Sequence, residues 1–368
     1  MSDLRERLIQ ETRDLVLIES TNAKPERRAE CFRWLRNHLD QLPGLELTMR
    51  ESGNYESLLA LPKGVEAPEI LLCGHIDVVE HPEPGAYEPT VKDGRIFGPG
   101  AGDMKGQVVI MLELMRRIHR AHPGASVGLA LTSDEEIGGE HGVRFLVEEL
   151  GLRCGVAIIP DGGSLTNITV EEKGVIHLLA QCQGESAHAA RPWLGDNALE
   201  RLCDRLAELR AWFNELKSAD SNWYPTCVVT VIDTPNMSPN RIPERASAVL
   251  DIRFPPGQSA EQLLARIGEI VGPEIELEPI ITAEPTHLDP DPLFIEATRE
   301  VAVEANLVRA SGGSDSRFFA PLGIPVMLSR PNVGNLHGRD EWIEIDSMLD
   351  YFEICCRYLE SRLDLKLS

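Results

Sequence analysis

Residues 127–139 read VGLALTSDEEIGG. An uncharged run from Val127 to Thr132 has the length and apolarity of a buried strand, and it gives way almost at once to Asp134, Glu135 and Glu136. Three adjacent acids repel one another, and carboxylates beside a core lose hydration, so the stretch calls for a positive charge at the strand's end. Two other short runs share the pattern. ILLCG (70–74) leads into His75-Ile76-Asp77, and VAIIP (156–160) leads into Asp161.

Working outward, helical spacing is expected near 3–18, 26–41, 104–121 and 140–150, and strands near 56–61, 70–74, 127–132 and 155–159. Strands apolar on both faces, alternating with helices, predict an α/β fold with a mostly parallel sheet. From about residue 173 the texture changes. A strand (VIHLLAQCQG), a helix (195–217), strands near 225–233 and 246–254, a helix (259–271) and a strand (274–280) make a βαββαβ unit of ferredoxin-like type, inserted into the first domain. After TAEPTHLDPDP the α/β texture returns, with a helix near 292–305, the strand IPVML and a helix near 346–363. The expected division is 1–172 with 286–368 as one domain, and 173–285 as the inserted second.

The 36 Lys and Arg residues against 59 Asp and Glu give a net charge of −23, which repels nucleic acid and anionic membranes. The opening MSDLRERLIQETRDL mixes charge with apolar residues at helical spacing and is not a leader, and no run of about 18 apolar residues offers a membrane span. Eight cysteines without a CxxC pair read as reduced thiols, and the expected location is the cytoplasm.

Ligands of open α/β sheets gather beyond the carboxyl ends of the strands, where His75, Asp77, Asp134–Glu136 and Asp161 fall. Asp103 follows the glycine-rich GPGAG, and His337 lies in Asn335-Leu-His337-Gly. Singly, each has an ordinary explanation: Asp103 as a helix cap, Asp161 as a turn residue, the acid triplet as a favoured helix start. Together they would repel one another without a cation. Two imidazoles and three carboxylates make the nitrogen and oxygen set that zinc accepts, and two ions sharing an aspartate would use all five.

The stretches GHIDVV, GPGAGDMKG, TSDEEIGG, SAHAARPWLGDNAL and NLHGRDE are similar to those of the acetylornithine deacetylase, succinyl-diaminopimelate desuccinylase, aminoacylase and glutamate carboxypeptidase family of dinuclear zinc hydrolases, in the same order over nearly the whole chain. The resemblance implies that His75 and Asp161 ligate one zinc, Glu136 and His337 the other, and Asp103 both. It implies that Asp77 orients His75, that Glu135 is the general base, and that the Asp103–Met104 peptide is cis. It also implies that 1–172 with 286–368 is a catalytic domain and 173–285 a lid and dimerisation domain through which two copies form a homodimer, its His188 serving the oxyanion in the partner subunit's active site, while Arg253 and Asn240 meet a substrate carboxylate and Ser314 lines the pocket. Cobalt or manganese would suit the same ligands. Two positions depart from the family. Pro99 stands where Arg is frequent, and Asp161 stands where many members carry Glu; Asp there resembles the members that act on free-amino di- and tripeptides.

The expected activity is hydrolysis of the amide bond of a small N-acyl amino acid or short peptide. The competing readings are a di- or tripeptidase or aminopeptidase of the same family, a related zinc aminopeptidase without the insertion, and a non-catalytic zinc-dependent binding protein. The βαββαβ insertion opposes the second and an intact Glu135 the third.

Overall fold

The computed structural model describes residues 2–219 and 221–367 and divides the chain into two compact units. The first takes the chain up to Val170, His287–Ala310 and the stretch from Ser314 onward; the second is Glu171–Thr286 with Ser311–Gly313. The first boundary falls two residues before the expected 172/173, because the strand Asn167–Glu172 runs across it. At the other end Thr286, expected in the catalytic domain, groups with the second unit.

A nine-stranded sheet organises the first unit, and its order runs Leu45–Ser52, Tyr55–Pro62, Val127–Thr132, Ile70–His75, Val156–Ile159, Val326–Leu328, Asn167–Glu172, Thr286–His287, with Asn306–Ala310 also paired to Asn167–Glu172. The expectation of a mostly parallel sheet needs correction, for the sheet is mixed. The four central strands from Val127–Thr132 to Val326–Leu328 pair parallel. Leu45–Ser52 pairs antiparallel with Tyr55–Pro62, and the latter antiparallel with Val127–Thr132. The cause is local. Ser52 and Tyr55 pair across the two residues Gly53-Asn54, with Gly53 at φ 57°, and so short a link permits only a hairpin. The strand LELTMRES escaped notice because it is an edge strand with mostly half-exposed side chains.

The central strands bury both faces, and their two-residue period divides the side chains between two cores. Ile70, Leu72, Leu129, Leu131, Val156, Ile158 and Met327 pack in a cluster with the helices Ser2–Val16, Pro25–Leu39, Gly106–Ala121 and Ile345–Leu363. Leu71, Cys73, Ala130, Ala157, Ile159, Val326 and Leu328 pack against Val143, Leu146, Leu152 and Phe319. The helix expected near 140–150 is shorter, covering 143–149, and its last five residues, Phe145–Glu149, are wound as a π-helix. Gly138 and Gly139 stand at φ 115° and 65°, and the Asp134 carboxylate accepts the N–H groups of His141 and Gly142, so the preceding backbone is drawn into a loop.

The second unit follows the order strand Gly174–Gln183, helix Ala198–Glu215, strands Thr226–Asp233 and Arg245–Phe254, helix Ala260–Val271, strand Ile275–Ala283. Its four strands pair antiparallel in the order Thr226–Asp233, Arg245–Phe254, Gly174–Gln183, Ile275–Ala283. Alternate residues of the central pair, among them Ile176, Leu178, Leu250 and Ile252, bury against Leu202, Leu209, Phe213, Leu263 and Ile267 of the helices. Asn197 caps the first helix through the N–H groups of Leu199 and Glu200, and Ser259 with Gln262 forms a capping box on the second.

His119, near the end of Gly106–Ala121, has no solvent exposure, and its Nε2 donates to the Val127 carbonyl at 3.0 Å. Burial holds its pKa below the ordinary value, so the unfolded chain takes up a proton first as pH falls from about 7 to 5. Its contribution to stability is present above that window and lost within it. Urea midpoints should therefore fall more between pH 7 and 5 for the wild type than for His119→Gln; equal losses would remove His119 as the cause.

Candidate active site

Three central strands deliver side chains to one edge of the sheet. His75 ends the strand Ile70–His75, Glu135 and Glu136 follow Val127–Thr132 in a short turn, and Asp161 follows Val156–Ile159. A Cβ on Gly74 would lie 2.6 Å from the Met104 methyl and 2.7 Å from that of Met111, so a larger residue here would oblige those flexible side-chain ends to shift. Asp103 does not cap the helix that follows it. The helix begins at Gly106 without a side-chain cap, and Asp103 and Met104 are non-helical and joined by a cis peptide, as the resemblance implied.

Asp103 is reached by an imidazole at each oxygen. His75 Nε2 lies 3.2 Å from Oδ1, and His337 Nε2 lies 3.5 Å from Oδ2 and 3.2 Å from Glu136 Oε2. Two groups of donors overlap at this carboxylate, His75–Asp103–Asp161 and Asp103–Glu136–His337, and within each group the donor atoms lie within 4.8 Å of one another. The five side chains named from the sequence thus share one cavity edge. They fit a pair of divalent cations in donor chemistry, and Glu136 Oε1 is buried with no hydrogen-bond partner.

The electrostatics point the same way. Burial, then the neighbouring Asp161, pushes Glu135 well above the usual carboxylate range; burial, then Asp103, does the same to Asp161. Glu136 is raised by burial too. Burial also opposes the charge of Asp103, but the hydrogen bonds from His337 and His75 hold its pKa well below the ordinary value. Hydrogen bonds to Asp103 and then Glu136 push His337 up to about 10. The cluster takes up protons when no other cation balances it. Arg330 is the one guanidinium paired with these ligands among the described residues, with Nη1 3.4 Å from Asp161 Oδ1.

Asp77 ties the pieces together. It is 1% exposed; its carbonyl lies 3.1 Å and its Oδ1 3.4 Å from His75 Nδ1. The same carboxylate accepts the N–H groups of Glu135 (3.3 Å) and Glu136 (3.0 Å), so one aspartate sets both the imidazole and the turn with the two acids. Two residues without an assigned role in the sequence reading belong here as well. Arg330 carried no local signal. Glu341 was visible as the last residue of NLHGRDE; it accepts the N–H groups of Gly102 (2.8 Å), Asp103 (2.9 Å) and His337 (3.3 Å).

The remaining candidates are divided between the two units. Ser314, in the first unit, is fully buried and its Oγ accepts the Ser316 N–H at 3.3 Å. In the second unit, exposed His188 accepts the Ala190 N–H on Nδ1, and the neighbouring Ala189 N–H meets the Asn240 carbonyl at 2.9 Å, which brings those two candidate segments together. Arg253 is engaged by its own strand: Nε and Nη2 donate to the two Asp251 oxygens at 2.8 and 2.9 Å, and His177 Nε2 lies 3.0 Å from the same carboxylate.

Two donor triads sharing a carboxylate at the strand ends of a mixed α/β sheet define a metal-dependent hydrolase. The chain belongs to peptidase family M20/M25/M40, whose profile matches residues 71–361. A succinyl-diaminopimelate desuccinylase of Acidiphilium cryptum is 30% identical over 344 residues, covering 89% of this chain and 91% of that one. The fold is similar to that of an M20 family metallo-carboxypeptidase from Sulfolobus solfataricus (TM-score 0.80, 18% identity, 97% and 99% of the two chains covered). It is equally similar to that of a dipeptidase from Saccharomyces cerevisiae (TM-score 0.80, 14% identity, 99% and 97% covered).

Because Asp77 orients one imidazole and the turn carrying Glu136, Asp77→Ala should weaken divalent-metal affinity about 10- to 100-fold. Metal titration of the chelator-treated protein checks this, and unchanged affinity would strip Asp77 of that role.

Proposed function

We propose that this chain hydrolyses the amide bond of a small N-acyl amino acid, with His75 and Asp161 holding one divalent ion, Glu136 and His337 a second, and Asp103 both. The observation that carries the reading is the division between neighbours: Glu136 belongs to a metal-competent group and the adjacent Glu135 does not. A hydrolase needs one carboxylate held by metal and another free to move protons. The nitrogen and oxygen donor set suits zinc, with cobalt or manganese as substitutes.

When bound, the ions supply a Lewis acid for the carbonyl and a water acidified toward neutrality. Glu135 takes the water's proton on its carboxylate and passes it to the leaving amine nitrogen, while Asp77 holds the Glu135–Glu136 turn and the His75 ring still. His188 donates a hydrogen bond to the oxyanion, the group on which transition-state charge develops. Arg253, with Nε and Nη2 committed to Asp251, offers Nη1 to the substrate carboxylate, and Asn240 adds a second polar contact. Ser314 shapes the pocket loop through its bond to Ser316.

A second reading, cleavage of dipeptides, is favoured by Asp161, which stands where many deacylases of the resembling family carry Glu. A panel of N-acetyl and N-succinyl amino acids beside dipeptides, with and without chelator, separates the two. Glu135→Ala should keep its metal and lose turnover about 10²- to 10⁴-fold. Normal turnover in that variant would eliminate Glu135 as the base, and a wild type that no chelator affects would defeat the metal-dependent reading.

The second unit is proposed to join two copies of the chain. Thr226–Asp233 is the outermost strand of its sheet, and Val228, Val229, Val231 and Ile232 are all about half exposed. An apolar strand with a free edge is a template for pairing with another chain, and a second copy offers the same edge. Val231→Lys should shift the mass measured by light scattering from dimer to monomer; a wild type that is already monomeric removes the proposal. No helix among the described residues is long and apolar enough to cross a membrane. Eight free cysteines support a reducing, cytoplasmic location.

A further inference from the structure

We infer that Glu341 is a positioning residue that constructs the second metal position by joining the loops that carry Asp103 and His337. The inference rests on the dinuclear reading above. Asp103 and His337 are 234 residues apart, Asp103 at a break in helical geometry and His337 in a turn, so neither is set relative to the other by a shared element. One carboxylate spans them. Glu341 Oε1 accepts the N–H of Gly102 at 2.8 Å and that of Asp103 at 2.9 Å, and Oε2 accepts the N–H of His337 at 3.3 Å. The side chain is 1% exposed, so these bonds form away from competing water.

The placement of Glu341 is itself fixed by the backbone. The strand Trp342–Glu344 pairs antiparallel with Arg95–Phe97, and the Glu341 carbonyl accepts the Gly98 N–H at 2.9 Å, so Glu341 is moored beside the segment leading to Asp103. On its other side the turn closes through Gly338 N–H to the Asn335 carbonyl and Glu341 N–H to the Gly338 carbonyl. His337 stands in that turn at φ 58°, a left-handed conformation disfavoured for a residue with a Cβ and kept only where its surroundings impose it. Its N–H bond to Glu341 is one such imposition. Without the carboxylate, three N–H groups lose their acceptor and the two loops lose their common anchor.

The hydrogen bonds that the Glu341 carboxylate accepts from Gly102, Asp103 and His337 all come from backbone N–H groups, so it acts through the segments of Asp103 and His337. The position made by Asp103, Glu136 and His337 then has two of its three ligands held by Glu341, whereas His75 and Asp161 of the other do not depend on it. Its loss should be felt unequally.

The test is titration of chelator-treated protein with Zn²⁺ by calorimetry, and with Co²⁺ by its visible absorption, for the wild type, Glu341→Gln and Glu341→Asp. The wild type should take two equivalents. Glu341→Gln should take the first with near-normal affinity and the second about 10- to 100-fold more weakly, with an altered cobalt spectrum for that second ion. Glu341→Asp, which keeps the charge on a shorter arm, should fall between them, and it carries the test if the glutamine variant does not fold. Equal weakening of both equivalents would mark Glu341 as merely structural, and two normal equivalents in both variants would overturn the inference outright. A wild type that takes fewer than two equivalents defeats the dinuclear reading instead, and this inference with it.

Discussion

Like charges gathered out of water dominate this molecule. Asp77, Asp103, Glu135, Glu136 and Asp161 come together from four segments of the chain, and Arg330 alone among the described residues pairs a guanidinium with a ligand of the group. Burial raises the pKa of Glu135, Glu136 and Asp161, so the native arrangement works against its own ionisation. Such a cluster persists when something repays the repulsion, and divalent cations do so at the lowest cost in space. The rest of the first unit reads as the means of holding these groups together.

The means are few and specific. Parallel pairing of the central strands brings the ends of Ile70–His75, Val127–Thr132 and Val156–Ile159 side by side, and burial on both faces leaves them little freedom to slide. Beyond the strand ends, buried carboxylates take over from the sheet. Asp77 gathers the His75 ring and the N–H groups of Glu135 and Glu136, Asp134 folds back the following loop, and Glu341 gathers the segments of Asp103 and His337. Each one accepts backbone N–H groups, and that kind of contact fixes where the chain runs rather than how one side chain turns.

The second unit has its own helix-covered core and contributes a different chemistry. Its outer strand exposes valines and an isoleucine in a row, an unusual surface on a chain with net charge −23. Its Arg253 is paired with Asp251, and Asp251 in turn with His177, so any anion meeting this guanidinium meets one already half neutralised.

How much of this was legible beforehand follows from the range of each interaction. Helices and buried strands were visible because their apolar periods are local: Gly106–Ala121, Ile70–His75 and Val127–Thr132 lie within two residues of their expected positions. Leu45–Ser52 was not, since an edge strand with mixed side chains has no clear period, and neither was the mixed character of the sheet, which depends on how a two-residue link folds back. The motifs picked out the five side chains that the fold gathers into two overlapping groups, because donor chemistry resides in residue type. Arg330 gave no sign, and Glu341 stood in a quoted motif without a role, because accepting backbone N–H groups from distant loops leaves no mark on residue spacing. By itself the sequence determined which groups must seek a cation and which strands must be buried. Only the tertiary structure decided that Asp103 would stand between two imidazoles and that Asp77 and Glu341 would hold the loops around it, since those contacts join segments tens to hundreds of residues apart.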